Sequence, residues 1–358
     1  MNNDAAPLSP QREAASEPTT LLLQDRFGRT ARDLRVSLTD KCNLRCTYCM
    51  PAEGLNWLAQ EKTLTDEELC RLLRIAVERL GIRQLRFTGG EPLLRRSLPE
   101  IIAFATSLRT DEGRAPLTAL TSNGLGLDKR AAELVDAGLN RVNISLDSLD
   151  RHRYHTLSRR DRLDDVLASI DTALKVGLTP VKINTVVMPN SNEGDILPLA
   201  HFAVRTGAQL RFIEQMPLGP PEKWDRNIMI TAQDILDTLA EDFELTASST
   251  PRGSAPAQLW HAVERQHPHH SGEIGVIAAV THPFCGDCDR SRLTADGFMR
   301  NCLFSRSETD LRTLLRSGAS DEEIMAAWAE GMAEKKAGHG IDDHSFIQPQ
   351  RLMSEIGG

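Results

Sequence analysis

The stretch D-L-R-V-S-L-T-D-K-C-N-L-R-C-T-Y-C-M, residues 33–50, joins a short β-rich run to a loop that carries Cys42, Cys46 and Cys49. Three thiols at spacings of four and three are an awkward number. A structural zinc site wants four protein ligands and disulfides want pairs, so something else must complete the group. Its position is informative as well. A loop that directly follows the first strand of a βα chain lies at the carboxyl end of the sheet, where active sites of such folds form.

Further strand-like runs follow at 84–88, 116–121, 141–146, 181–187 and 209–214, with helical patterns at 65–80, 98–108, 128–137, 164–176 and 196–206. Thr65 with Glu68 three residues later caps the first helix. Strict βα alternation predicts parallel strands with right-handed crossovers. Six such units suit an open doubly wound sheet or an incomplete βα-barrel, and the pattern alone leaves both open.

After P-L-G-P-P (217–221) the rhythm breaks. A helix is expected at 231–240, a polar region with proline through 272, a strand at 275–280, and helices at 308–317 and 320–336. This predicts four parts: a disordered leader (1–24), a βα region (25–220), a smaller C-terminal domain (221–345) and a tail (346–358). No role is assigned to the leader or to residues 252–272.

With 358 residues and 40% hydrophobic content the chain can bury a sizeable core. Its net charge of −8 argues against broad nucleic-acid or membrane-surface binding, while leaving room for a concentrated basic cavity. No apolar run is long enough to span a bilayer, and the acidic leader is unlike a secretory or transit peptide. A cytoplasmic location is the expectation. An odd count of seven cysteines disfavours a disulfide framework. Cys70 falls on the apolar side of a helical pattern and reads as a core thiol.

Four strands each carry one cation among apolar neighbours: Arg35, Arg86, Lys182 and Arg211. Each alone could be a structural ion pair. Together they fit a polyanion such as a triphosphate, because cations converging in a sheet interior repel one another unless an anion joins them. The run C-G-D-C-D-R-S-R-L-T-A-D-G-F-M-R-N-C then supplies a second thiol triad, Cys285, Cys288 and Cys302, with Arg290 and Arg292 interleaved. Two zinc readings stay open. One is a four-cysteine site from Cys46, Cys49, Cys285 and Cys288, which leaves Cys42 and Cys302 without a role. The other adds His282 or the tract H-P-H-H (267–270) to the second triad.

C-x3-C-x2-C with Tyr48 before the last cysteine resembles the signature of the radical S-adenosylmethionine (SAM) superfamily, and T-G-G-E-P (88–92) resembles its second motif. The glycines there let backbone approach a small ligand closely. Adding C-x2-C-x13-C, R-S-R and the terminal I-G-G, the chain from about residue 25 to Gly358 resembles the GTP 3′,8-cyclase family of molybdenum cofactor biosynthesis. The resemblance implies a partial βα-barrel closed by a smaller domain, two [4Fe–4S] clusters, and SAM bound at the open iron of the first. It implies a 5′-deoxyadenosyl radical that takes hydrogen from the ribose C3′ of GTP, after which the carbon radical attacks C8 of guanine. By motif, Cys42, Cys46 and Cys49 would hold the first cluster, and Cys285, Cys288 and Cys302 the second, which binds guanine. Tyr48, Gly90, Ser145 and Met216 would contact SAM. Arg35, Arg86, Thr121, Lys182, Arg290, Ser291 and Arg292 would hold GTP, with Arg211 nearby, and Gly357 and Gly358 would assist the radical step. The family pattern also implies an electron donor, a homodimer, and hand-over of product to cyclic pyranopterin monophosphate synthase. Two other readings compete: a radical enzyme whose extra cluster serves another substrate, such as a peptide, and a zinc-stabilised binding protein.

Overall fold

The computed structural model describes residues 20–220, 224–343 and 346–357. Most of the leader (1–19) and Gly358 therefore lie outside the described residues. Six strands, β1 (Asp33–Ser37), β2 (Gln84–Thr88), β3 (Leu117–Ser122), β4 (Arg141–Ser145), β5 (Lys182–Val187) and β6 (Gln209–Glu214), lie side by side in chain order, every neighbouring pair parallel. That order has no reversal, which sets it apart from a doubly wound sheet. Helices α1 (Asp66–Arg74), α2 (Leu98–Ser107), α3 (Leu127–Asp136), α4 (Arg151–Ser158), α5 (Leu163–Lys175) and α6 (Ile196–Thr206) form the connections. Thr65 and Glu68 make the expected reciprocal cap of α1. Cys70, on that helix, is half-buried.

The strands alternate with period two, and this sorts their side chains onto two faces. Leu34, Val36, Leu85, Phe87, Val142, Ile144, Leu210 and Phe212 are fully buried in the main core. The alternate positions, Arg35, Arg86, Thr121, Asn143, Asn184 and Arg211, line one common cavity. A polar inner face is costly to build, so its side chains must satisfy one another or a ligand.

Strands from the second half of the chain extend both edges of this sheet. On one side β9 (Ser271–Ile277) runs parallel to β6 and is followed by β8 (Gln258–Glu264) and β7 (Phe243–Ala247), which comes after helix α7 (Ala232–Asp242). On the other, β10 (Arg290–Leu293) runs parallel to β1, followed by β11 (Phe298–Arg300) and β12 (Thr309–Asp310). Helices α8 (Leu311–Arg316), α9 (Asp321–Ala333) and α10 (Met353–Ile356) complete the chain. The strand expected at 275–280 begins earlier, and β7 and β8 occupy a stretch read as irregular. They were missed because the β8–β9 hairpin is polar and partly exposed, so its stability comes from pairing to β6 and not from a strong local pattern. No helix among the described residues is long and apolar enough to cross a membrane.

Candidate active site

The two cysteine triads gather separately. Cys42, Cys46 and Cys49 line a cavity of about 250 Å³ together with Tyr48, Gly90, Ser145 and Met216, the four residues expected to contact SAM. Cys285, Cys288 and Cys302 line a smaller one. The pairs needed for a mixed four-cysteine zinc site thus face different cavities. Among the described residues no three His, Cys, Asp or Glu side chains are gathered closely enough to share one metal ion. A cubic cluster takes one thiolate per iron, so it suits thiols spread around a larger body. His282 is exposed and lines neither cavity. The histidine rings of H-P-H-H meet edge-on or tilted in the β8–β9 turn, where His270 meets Glu264 at 2.9 Å.

Burial pushes the Cys42 thiol up to about 11 and Cys49 to about 12. Cys46 is also driven well up, first by burial and then by Asp147. Bare, these thiols hold their protons, and a bound metal centre would have to displace them. Cys288 differs. Its burial is outweighed by Arg290 and Lys335, which draw it below the ordinary thiol value. Lys335 is 2% exposed and donates to Cys288 Sγ at 3.3 Å and to Arg290 O at 2.8 Å. Neither Lys335 nor His339, which lines the second cavity, stood out in the sequence, because each lies more than thirty residues beyond the last cysteine in an unremarkable polar run.

The T-G-G-E-P turn acts mainly through the cysteine loop. A Cβ on Gly89 would lie 2.3 Å from Thr39 O, and one on Gly90 2.3 Å from Lys41 O. The glycines let the two loops touch, and Gly90 N and Glu91 N bond to Thr39 O and Lys41 O, both at 2.7 Å. The expected approach to a ligand is only half of their role. Glu91, fully buried, accepts from Ser122 Oγ at 2.9 Å and Asn123 N at 2.8 Å, and so ties the loop after β3 to this turn. Asp147 receives the Tyr48 hydroxyl at 2.9 Å, and burial pushes its carboxyl up to about 6.

The cations do converge. Register sets Arg35 beside Arg86 on one side and beside Arg292 on the other. Lys182 faces the same interior, where burial and then Arg211, Arg141 and Arg86 pull it down to about 7. Arg211 falls to about 9 and Arg292 to about 10, burial being the first cause in both. Arg86 has one acidic partner, Asp33 at 2.7 Å, which also accepts from Gln84 at 2.6 Å. Arg211 instead donates to the neutral Asn184 and Asn143 at 2.9 and 3.0 Å, and Asn143 donates to Thr121 at 2.9 Å. The Nε atoms of Arg35, Arg86 and Arg290 are buried without a hydrogen-bond partner. Such an excess of buried, under-neutralised cations is what a polyanion would relieve.

Ser291 is placed apart from its neighbours. It sits between Arg290 and Arg292, so the period-two rule turns its side chain to the opposite face, where it is fully buried and lines neither cavity. The tail reaches the interior: Gly357 is buried with φ 73°, and its carbonyl accepts from Arg292. A Cβ there would lie 2.5 Å from Ser37 Oγ. Ser354, also buried, lines the cavity of the first triad, its hydroxyl without a hydrogen-bond partner. Gly358 is outside the described residues.

The radical SAM superfamily profile matches residues 36–203, and the profile described as Molybdenum Cofactor Synthesis C matches residues 208–341. A "GTP 3′,8-cyclase" of Corynebacterium glutamicum (strain R) is 66% identical over 337 residues, 94% of this chain and 89% of that protein. One of Mycolicibacterium smegmatis is 57% identical over 345 residues, 96% and 94% of the two chains. Among solved structures, Streptococcus suis SuiB bound to S-adenosylmethionine aligns with a TM-score of 0.54 at 14% identity, over 86% of this chain and 69% of that one, a likeness of fold. With two cysteine triads on a radical SAM fold and this identity along nearly its whole length, the chain belongs to the GTP 3′,8-cyclase family.

Proposed function

We propose that the chain converts GTP to 3′,8-cyclo-7,8-dihydro-GTP, the first step of molybdenum cofactor biosynthesis. One observation carries the reading furthest: Arg290 and Arg292 line the cavities of both cysteine triads. The two triads therefore open on a shared cationic space, suited to a ligand with an anionic end and an aromatic base. Cys42, Cys46 and Cys49 would hold a [4Fe–4S] cluster, and Tyr48, Gly90, Ser145 and Met216 would hold SAM beside it. When bound, that pair supplies the electron and the 5′-deoxyadenosyl radical that abstracts hydrogen from C3′ of the ribose. Cys285, Cys288 and Cys302 would hold the second cluster against the guanine edge, with Lys335 orienting Cys288.

The remaining side chains position the substrate. Arg35, Arg86, Lys182 and Arg211 would neutralise the triphosphate, Thr121 would contact GTP beside Asn143, which holds the Arg211 guanidinium, and Arg290 and Arg292 would bridge the two ends. Backbone around Ser291 stays in this group through its neighbours. Holding C8 over the ribose is a matter of orientation, which the rigid strands supply. Gly357 and Gly358 would place the tail next to the reacting ribose. In this reading the six βα units (25–220) form a partial barrel, residues 221–345 close it and 346–358 form the tail. An electron donor, a homodimer, a cytoplasmic location and delivery of product to cyclic pyranopterin monophosphate synthase complete the proposal.

The test is anaerobic incubation of reconstituted protein with SAM, reductant and GTP. Formation of 5′-deoxyadenosine together with the cyclised nucleotide is expected. SAM cleavage with GTP untouched would remove the substrate assignment and leave the radical assignment standing. Stoichiometric zinc without iron would sink both.

A further inference from the structure

The cation-lined interior has a second opening. A cavity of about 570 Å³ is lined by Asp33, Gln84, Leu117, Arg141, Lys182 and Gln209, which are the first residues of β1 to β6. It therefore lies at the amino-terminal edge of the sheet, opposite the cysteine loop. It shares Arg35, Arg86, Arg211, Pro256 and Arg290 with the cavity of the first triad, so the two cavities meet at these side chains. Residues 252–257, for which the sequence offered no role, form one wall of this opening. Arg290 donates to Ser254 O at 3.1 Å, and Ser254 Oγ bonds to Asp289 at 2.9 Å, which fixes that wall to the substrate-facing strand β10. Arg83 and Arg114 also line it; Arg83 pairs with Asp111 at 2.8 Å, and Arg114, its side chain 73% exposed, pairs with Glu112.

The carboxyl-terminal side of the sheet carries the tail. The tail crosses it, pinned by Arg351 to Asp296 and Glu308 at 2.9 and 2.8 Å, by Gln348 to Gly219 O at 2.6 Å, and by Arg292 to Gly357 O. A nucleotide entering there would pass beside these contacts. At the other edge it would pass Arg83 and Arg114, which pair with Asp111 and Glu112, and Arg252.

We infer that the amino-terminal-edge opening, walled by residues 252–257 and by Arg83 and Arg114, is the port through which the nucleoside triphosphate enters and the triphosphate-bearing product leaves. SAM is thereby left at its own end of the interior. This rests on the functional reading above, because it takes the polyphosphate to be the ligand of the inner arginines. A cationic mouth raises the local concentration of a polyanion and speeds its capture, an effect that salt suppresses.

The experiment uses the reconstituted full-length enzyme and stopped-flow binding of a fluorescent GTP analogue at several ionic strengths. Arg114→Glu with Arg252→Glu is expected to slow association roughly tenfold at low salt and to flatten its salt dependence. Arg96→Glu, an exposed site beyond β2 at the other edge, should leave association unchanged. Ala255→Trp, which narrows the opening, should slow association and dissociation together with Kd unaltered, the signature of a passage and not of a binding contact. Wild-type association in the double variant, or an Ala255→Trp variant whose rates are unchanged or whose Kd shifts through one rate alone, would overturn the port while the wild-type enzyme still binds and converts GTP. A wild-type enzyme that takes up no nucleotide would overturn both the port and the function.

Discussion

Lys182 makes the cation-filled interior measurable. Burial, then Arg211, Arg141 and Arg86, hold its ammonium down to about 7. A bound triphosphate reverses that environment and favours the charged form. The sign follows: affinity is complete below the free-state value and is lost as pH rises through it toward the higher value of the complex. At about pH 8.5 roughly one free molecule in thirty carries the proton, so the apparent Kd for GTP should be about thirtyfold above its low-pH limit. Over the same range the γ-phosphate of GTP gains charge, which acts in the opposite direction, so weaker binding cannot arise from the ligand. Lys182→Arg keeps its charge throughout and should flatten the profile. The assay is equilibrium binding of GTP to anaerobic enzyme without SAM, between about pH 6.5 and 8.5. If wild type and Lys182→Arg have the same profile, or wild-type affinity rises with pH, Lys182 does not meet the phosphate as a buried, shifted cation.

Cys42→Ala should abolish 5′-deoxyadenosine formation, whereas Cys302→Ala should retain it and lower GTP conversion by at least about tenfold, both read by chromatography of the reaction mixture. Asp33→Asn removes the carboxylate that Arg86 and Gln84 share. Breaking a buried pair costs about 3–5 kcal/mol, so the nucleotide-free variant should melt earlier, with GTP recovering part of the loss; an unchanged midpoint contradicts this. Gly357→Ala sets a Cβ 2.5 Å from Ser37 Oγ and 2.6 Å from Thr88 Cγ2 at a φ of 73°. GTP conversion should fall while iron content stays at the wild-type level, and normal turnover would show that the tail plays no part.

Much of the site was legible because its signals are local. Cys42, Cys46 and Cys49 reach one another within a single loop, and the same holds for Cys285 and Cys288. The cations at Arg35, Arg86, Lys182 and Arg211 stood out because each interrupts an apolar strand. Read in register, the same period two also marks Asn143 and Asn184 as inward, and turns Ser291 away from the cavity its neighbours line. The reason for Gly89 and Gly90 was only partly visible, since their tightest contacts are with residues 39–41, nearly fifty positions earlier.

The sequence by itself determined the element order of the βα half, the two thiol triads and a cation-lined interior, because these depend on spacing and period over a few residues. Tertiary structure alone decided that the triads occupy separate cavities and that the second half of the chain extends both edges of the sheet. It also decided that Asp33 partners Arg86, that Lys335 lies under Cys288, and that the interior opens at the far edge of the sheet. Each of these rests on contacts between residues tens to hundreds of positions apart. They are set by which strands pair and how the tail crosses them, and no local pattern encodes that.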